Sequence, residues 1–403
     1  MRSLIILKGL VKSEKIGWVK KEKLENYLID INVLRKLYAN PSLIVPGREV
    51  LDKSFGDIVY KRFIEILCTK MGKGNLIVVD PENENLGTLE ILGLIYGYKI
   101  FYVIQNTPKD YVENYKRYCI PYYSIKRKSD IEKEVANFNN QSLDKVININ
   151  HFQDVLKYWS GEIKSQIKTI KNTDKILHVS DLHSNYDLFQ QLPSFSDYKQ
   201  IICYGDYIDG PLNGGSRKLT DYILKSKKKN IIWLEGNHEL RLRRWVGYLM
   251  LKGNNRKELQ DFLYNSLPSD FINTTALEYK FDNNEAKQYL EKLNNKLKPF
   301  SILITKTNKY ISTHAGIKYF EQLDPRYIGS VIYGNRDMTK FDKGFSDYNK
   351  NNDIWSIHAH CKYPDSWEVC RYPKVVNLDP LNESEVVIGE QTNNNWNICV
   401  LKK

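Results

Sequence analysis

Asp181-Leu182-His183, Gly205-Asp206-Tyr207-Ile208-Asp209 and Gly236-Asn237-His238-Glu239, followed by His314-Ala315-Gly316 and His358-Ala359-His360, decide how this chain is read. The sequence holds seven histidines, and five of them lie in these segments. Histidine is the commonest metal-binding side chain, so the distribution points to a single site. Asp-x-His at a strand end aims two alternate side chains the same way, which lets Asp181 and His183 grip one ion together. Asp206 follows the apolar run 200–204, and the glycine before it permits a sharp turn. Its carboxylate can offer one oxygen to each of two ions. Asn237 brings a neutral oxygen after the run 231–234. His314 follows 310–313, and the last histidine pair follows 354–357. Oxygen donors mixed with imidazoles suit manganese, iron, zinc or nickel better than calcium. Two such ions about 3.5–4 Å apart can clamp a phosphate and activate a water between them.

Outward from these segments, His178 and His151 read as packed core residues. Runs of basic residues occur at Lys126-Arg127-Lys128, Lys227-Lys228-Lys229 and Arg241-Leu242-Arg243-Arg244. The last run opens a helix directly behind Asn237-His238. A net charge of +12 favours an anionic partner. Cysteines stand at 68, 119, 203, 361, 370 and 399 with no CxxC pair, and they read as free buried thiols of a reducing cytoplasm. No run of 18 apolar residues is present, so no membrane span is expected. The start of the chain lacks the long apolar core of a secretory signal and reads as a buried strand.

The ordered motif set resembles that of calcineurin-like metallophosphoesterases, whose signature is DxH, GDxxD, GNH(D/E), H and a final GH or GHxH. The resemblance covers residues 174–403 and implies an α/β sandwich with two divalent metals, manganese foremost. It implies that Asp181, His183 and Asp206 hold the first metal. Asp206, Asn237, His314 and His360 would hold the second. His238 would protonate the leaving oxygen, with Asp209 orienting it. The final motif has two readings. Either Ala359-His360 stands for Gly-His and His360 is the second-metal ligand, or the pattern is GHxH. Then His358 takes the second metal and His360 the first. The arginine of the GDxxDRG branches is missing, because Gly210-Pro211 follows Asp209. Arg217, Arg241 and Arg243 are the candidates to replace it.

Residues 1–150 read as a second α/β unit, with a strand leading to Gly9 and a helix from Lys15. Gly9-Leu10-Val11-Lys12-Ser13-Glu14-Lys15-Ile16 stands where a P-loop GxxxxGK[ST] would sit. Such a loop wraps phosphate closely with backbone N–H groups. Glu14 replaces its second glycine, and Ile16 its metal-binding hydroxyl. The unit resembles the kinase domain of polynucleotide kinases, with Asn32 in the catalytic aspartate slot, Arg35 retained, and Arg117 in the lid region. The resemblance implies a kinase-like parallel sheet that has lost catalysis.

Together the halves resemble bacterial and phage RNA-repair kinase–phosphatases. Asp181-Leu182-His183-Ser184-Asn185-Tyr186-Asp187 is similar to that branch's D-x-H-G-N-x-D, which adds Asn185 as a candidate substrate contact. No ligase is expected after the phosphatase strands. The expectation is thus a cytoplasmic chain with three parts: a degenerate kinase-like domain at 1–150, a joining helix at 151–173 and a phosphoesterase at 174–403. Its substrates would be phosphorylated nucleotides or RNA ends. The alternatives are a protein Ser/Thr phosphatase, a dinucleoside-polyphosphate hydrolase, or a non-catalytic protein that binds nucleotides or RNA ends.

Overall fold

The computed structural model describes residues 2–38, 42–45, 48–50, 56–81, 86–115, 122–123, 127–139, 147–210, 215–254, 256–334, 338–360, 371–380 and 383–402. Arg117 and Lys126 lie outside the described residues, as do Cys119, Cys361 and Cys370.

Chemistry-bearing loops sit at the ends of two sheets that face each other. One has six strands in the order Leu297–Lys298, Ile231–Leu234, Gln200–Cys203, Lys175–Val179, Glu385–Thr392 and Asn395–Lys402. Its first four strands are parallel, and the last two add on antiparallel. Gln200–Cys203 and Ile231–Leu234 are buried at every position, as expected of parallel strands covered on both faces. The other sheet runs Val375–Asn377, Ile354–His358, Lys309–Thr313, Phe300–Ile304 and Ile167–Thr169. Between the two sheets, Ile176, Ile202, Tyr204 and Leu234 pack against Leu303, Tyr310, Ile357 and Val376 in one apolar layer. This is the α/β sandwich expected from the sequence.

A separate five-stranded sheet, all parallel, has the order Leu28–Asp30, Ile77–Asp80, Arg2–Lys8, Tyr98–Ile104 and Ile147–Asn148. Its helix Leu86–Tyr96 packs on helix Glu239–Leu251 of the sandwich. Contact there is close: a Cβ on Gly247 would lie 2.8 Å from Ile95 Cδ1. One continuous core therefore runs from Leu4 and Ile6, through Phe63 and Tyr96, to Val246 and Trp233.

The joining segment differs from expectation. Its helix spans Phe152–Gln166, and Ile167–Thr169 is already an edge strand pairing with Phe300–Ile304. His151 is not a core residue. It is exposed at the helix N-cap, with Nδ1 3.0 Å from Glu22 Oε1. His178 is a core residue: its ring nitrogens meet Tyr204 Oη and Gln391 Oε1, each at 2.9 Å, with the side chain fully buried. Among the described cysteines, Cys68 and Cys203 are buried, but Cys399 is exposed on the edge strand.

Candidate metal centre

Each candidate ligand lies just past a strand end, where side chains of different loops can converge. Asp181 and His183 follow Lys175–Val179, Asp206 follows Gln200–Cys203, and Asn237 follows Ile231–Leu234. His314 follows Lys309–Thr313, and His360 follows Ile354–His358. The backbone there is bent out of its usual range. Eight described non-glycine residues have positive φ, and five belong to this site: His183, Ser184, Asp206, Asp209 and His360. Such conformations cost about 1–3 kcal/mol each and persist only where surrounding contacts dictate them.

Those contacts are visible. The His183 N–H donates to Asp206 O at 2.7 Å. Glu239 is completely buried. Its carboxylate accepts the backbone N–H groups of Gly236 at 2.7 Å, Tyr207 at 2.8 Å and Asp206 at 3.1 Å. Glu239 thus pins two metal-site loops together. The sequence showed it as the last residue of a motif but gave no role. Glycine is required where those loops cross, since a Cβ on Gly236 would stand 2.2 Å from Asp206 Oδ1.

Two groups of donors share Asp206. In the first, Asn237 Oδ1 lies 3.0 Å from His314 Nε2, and His314 Nε2 lies 3.0 Å from His360 Nδ1. Asp206 Oδ2 is 3.5 Å from His314 Nε2. The His314 Nδ1–H donates to Tyr204 O at 2.5 Å. That contact fixes the tautomer and leaves the Nε2 lone pair facing the cluster. In the second group, Asp206 meets His183 and His238, all ligand atoms within 4.8 Å of one another. Asp181 Oδ1 is buried 3.4 Å from His314 Nδ1.

The donor set fits divalent cations. The Asn237 amide oxygen stands among acceptor atoms of Asp206, His314 and His360. Turned one way, its nitrogen can donate to those acceptors at 3.0–3.2 Å; turned the other, its oxygen joins them as a donor set for a cation. Asp181 Oδ1 and His183 Nδ1 are buried with no hydrogen-bond partner, a costly state for polar atoms that metal coordination would relieve. His360 is suited to lone-pair donation: burial, and then His314, push its pKa down to about 4.

Beside the cluster, His238 Nδ1 is 3.2 Å from Asp209 Oδ2, while Nε2 turns to Asp206 Oδ2 at 3.8 Å. Burial disfavours the charged ring. The carboxylates of Asp206 and Asp209 outweigh it and hold His238 above the usual histidine range. Arg241 Nη1 also meets Asp209 Oδ2, at 2.7 Å.

Other candidates are placed elsewhere. His358 does not reach the cluster. Its Nε2 pairs with Asp342 Oδ1 at 3.0 Å, both residues fully buried. His358 is still within the strand Ile354–His358, whereas His360 is on the loop beyond it with φ of 75°. Arg243 is also away from the site, 1 % exposed and bound to Glu235 Oε1 at 2.8 Å. It faces inward from its helix while Arg241 faces the site. Arg217 bonds Asp221 at 2.9 Å and lies 4.4 Å over the Phe281 ring, so aromatic packing claims its guanidinium. Asn185 is buried; its amide nitrogen donates to Glu383 O at 2.6 Å, and its Oδ1 has no hydrogen-bond partner.

At the N-terminal unit, Gly9 directly follows the first strand, Arg2–Lys8, and the helix begins earlier than expected, spanning Lys12–Lys21. Lys15 Nζ is 2.8 Å from Asp80 Oδ1. Lys12 Nζ is 2.8 Å from Asp30 Oδ1 and 2.6 Å from Asp80 Oδ2. All four side chains are buried. Glu14 is exposed on the other side of the helix, so it does not occupy a phosphate position; Ile16 is half-buried. Arg35 Nη1 donates to Asn32 Oδ1 at 3.0 Å.

A family model for calcineurin-like phosphoesterases matches residues 174–386. No curated protein matches the chain significantly. Among solved structures, one provisionally assigned as a diadenosine tetraphosphatase matches with 16 % identity and a TM-score of 0.37. The match covers 59 % of this chain and 97 % of that one.

Proposed function

The chain belongs to the calcineurin-like phosphoesterase family and is accordingly a metal-dependent hydrolase of phosphoester bonds; from that premise we propose that it removes phosphates from nucleotides or RNA ends. The observation that carries the mechanism is the shared carboxylate, Asp206, between the Asn237–His314–His360 group and the His183–His238 group. Two divalent cations held there, manganese by preference, would polarise the phosphate and supply an activated water. Asp181 and His183 complete the first position, and Asn237, His314 and His360 the second. His238 delivers the proton to the leaving oxygen from Nε2. Asp209, on Nδ1, orients the ring and stabilises its charged form. Arg241 stands where its guanidinium can hold Asp209 and meet the phosphate, the task of the arginine missing after Asp209. The positive net charge supports an anionic nucleotide or RNA substrate.

In this reading the N-terminal unit does not transfer phosphate. Positioning and charge stabilisation are nearly all that a phosphoryl-transfer site contributes. Lys12 and Lys15 are committed to Asp30 and Asp80, and Asn32 cannot serve as a base. A panel of 3′-phosphate RNA, 2′,3′-cyclic phosphate, nucleotides and phosphopeptide, assayed with manganese, tests the substrate class. Preference for the phosphopeptide overturns it. Asp206→Ala or exhaustive chelation is expected to abolish hydrolysis, and full activity in either case refutes the shared-carboxylate mechanism. Labelled phosphate passing from ATP to 5′-hydroxyl RNA would refute the inactive-kinase assignment.

A further inference from the structure

A cavity of about 320 Å³ lies where the N-terminal sheet, helix Phe152–Gln166 and the sandwich meet. That size matches the lower range of small-ligand sites. Its wall carries an imbalance of charge. Arg2 and Arg243 are both almost wholly buried, and they share one carboxylate: Arg2 Nη2 is 3.1 Å and Arg243 Nε 2.8 Å from Glu235 Oε1. Lys99 and Lys298 also line the cavity, and the only other carboxylate among its lining residues is that of Glu162. Four cations therefore face two anions. Only Arg2 and Arg243 of the four are buried; besides Glu235, their guanidiniums donate to Tyr96 O at 2.7 Å, to Tyr333 Oη and to Asn294 Oδ1, while Arg2 Nε is buried with no hydrogen-bond partner. Two buried cations on one carboxylate lack a full countercharge, an expensive arrangement that an anion in the cavity would offset.

The surroundings add shape to that charge. Tyr158 offers a half-buried aromatic wall, with Lys99 Nζ 5.4 Å from its ring centroid. Asn295 adds an amide group, whereas the amide of Asn294 is taken by Arg243 and Leu94 O. We propose that this cavity is a second ligand site, separate from the metal centre, that takes a small phosphate-bearing metabolite of nucleoside-monophosphate size. Arg2, Arg243, Lys99 and Lys298 meet the phosphate, and Tyr158 meets the organic part.

The position gives the site a means to act on the metal centre. Glu235 immediately precedes Gly236-Asn237, and Arg243 lies on the helix that begins after His238. An anion drawing on both guanidiniums thus contacts one end of the segment that carries Asn237, His238 and Arg241 through Arg243, and competes with Glu235 at the other. It also ties Arg2 and Lys99 of the N-terminal sheet to the sandwich, so occupancy is expected to stiffen the junction.

The test is thermal unfolding and calorimetric binding on the full chain with divalent metals chelated, which silences hydrolysis. The probes are inorganic phosphate, AMP and adenosine. AMP is expected to raise the unfolding midpoint through preferential binding to the folded state, phosphate to do so more weakly, and adenosine not at all. Lys99→Glu and Lys298→Glu, both at half-exposed positions, avoid disturbing the buried arginines. Each should weaken AMP roughly tenfold, about 1.4 kcal/mol, without shifting the midpoint of the free protein by more than a few degrees. The proposal fails if neither phosphate-bearing probe binds, if adenosine matches AMP, or if both variants bind AMP as the native chain does. Its failure leaves the metal-centre assignment intact, because none of these readouts passes through hydrolysis.

Discussion

Replacing Gly236 by alanine tests the crossing of loops that holds the shared carboxylate. The added Cβ would stand 2.2 Å from Asp206 Oδ1 and 2.4 Å from Asp206 N. Ordinary contact begins near 3.4 Å, so carboxylate and methyl must separate by about 1 Å. The backbone nitrogen is nearly as close as the carboxylate oxygen, so rotating the side chain alone does not clear the clash. Glu239 holds the N–H groups of both residues, which resists a concerted shift of the loops. A misplacement of about 1 Å in a reacting constellation costs roughly 10²-fold in rate, about 2.7 kcal/mol in the barrier. Overpacking costs about 1–3 kcal/mol of stability as well. Gly236→Ala is therefore expected to lower manganese-dependent hydrolysis of an aryl phosphate about a hundredfold while the chain still folds. Gly161→Ala is the matched control. It sits in a helix with nothing within 4 Å of the new methyl, and it should leave the rate unchanged. Phosphate release and circular dichroism on both variants decide the matter. A folded Gly236→Ala protein within threefold of the native rate would refute the claim that this crossing positions Asp206.

His238→Ala should slow esters with poor leaving groups by about 10²–10⁴ and activated aryl esters far less; equal losses would make His238 a ligand or a structural residue. Glu239→Ala leaves three buried backbone N–H groups without an acceptor, at roughly 1–3 kcal/mol each. It should lower the unfolding midpoint and the manganese affinity together, as read by calorimetry, and unchanged metal affinity would count against the pinning role. Burial pushes His178 down to about 4 from an ordinary value near 6.5, against the opposing hydrogen bond to Gln391. Below pH 6.5 the unfolded chain takes up a proton that the folded chain refuses, so stability present at neutral pH is lost as pH falls from 6.5 towards 4. The loss reaches about 3 kcal/mol by pH 4. His178→Gln removes that proton uptake. Its urea midpoint, followed by tryptophan fluorescence, should fall less steeply between pH 7.5 and 4.5 than the native one, and identical slopes would refute the assignment.

Much of the site was legible because metal chemistry restricts residue types and strand ends restrict spacing. Asp181, His183, Asp206, Asn237, His314 and the final histidine pair stand out by identity alone. The mainly apolar runs before them showed the strands, because a strand buried on both faces carries few polar positions to obscure it. What needed tertiary structure was direction. A single residue, Ala359, separates His358 from His360, and only the end of the strand sends one to Asp342 and the other to His314. Arg241 and Arg243 share a helix, yet 200° of rotation between them, at about 100° per residue, puts one beside Asp209 and the other beside Glu235. Lys12, Lys15, Asp30 and Asp80 are spread over 69 positions of sequence and carry no motif as a set. Parallel pairing of Arg2–Lys8 and Leu28–Asp30 with Ile77–Asp80 brings them into one buried cluster. Residue identity is local and can be read along the chain. The partner of a buried charge depends on contacts between distant segments, and those exist only once the sheets have packed.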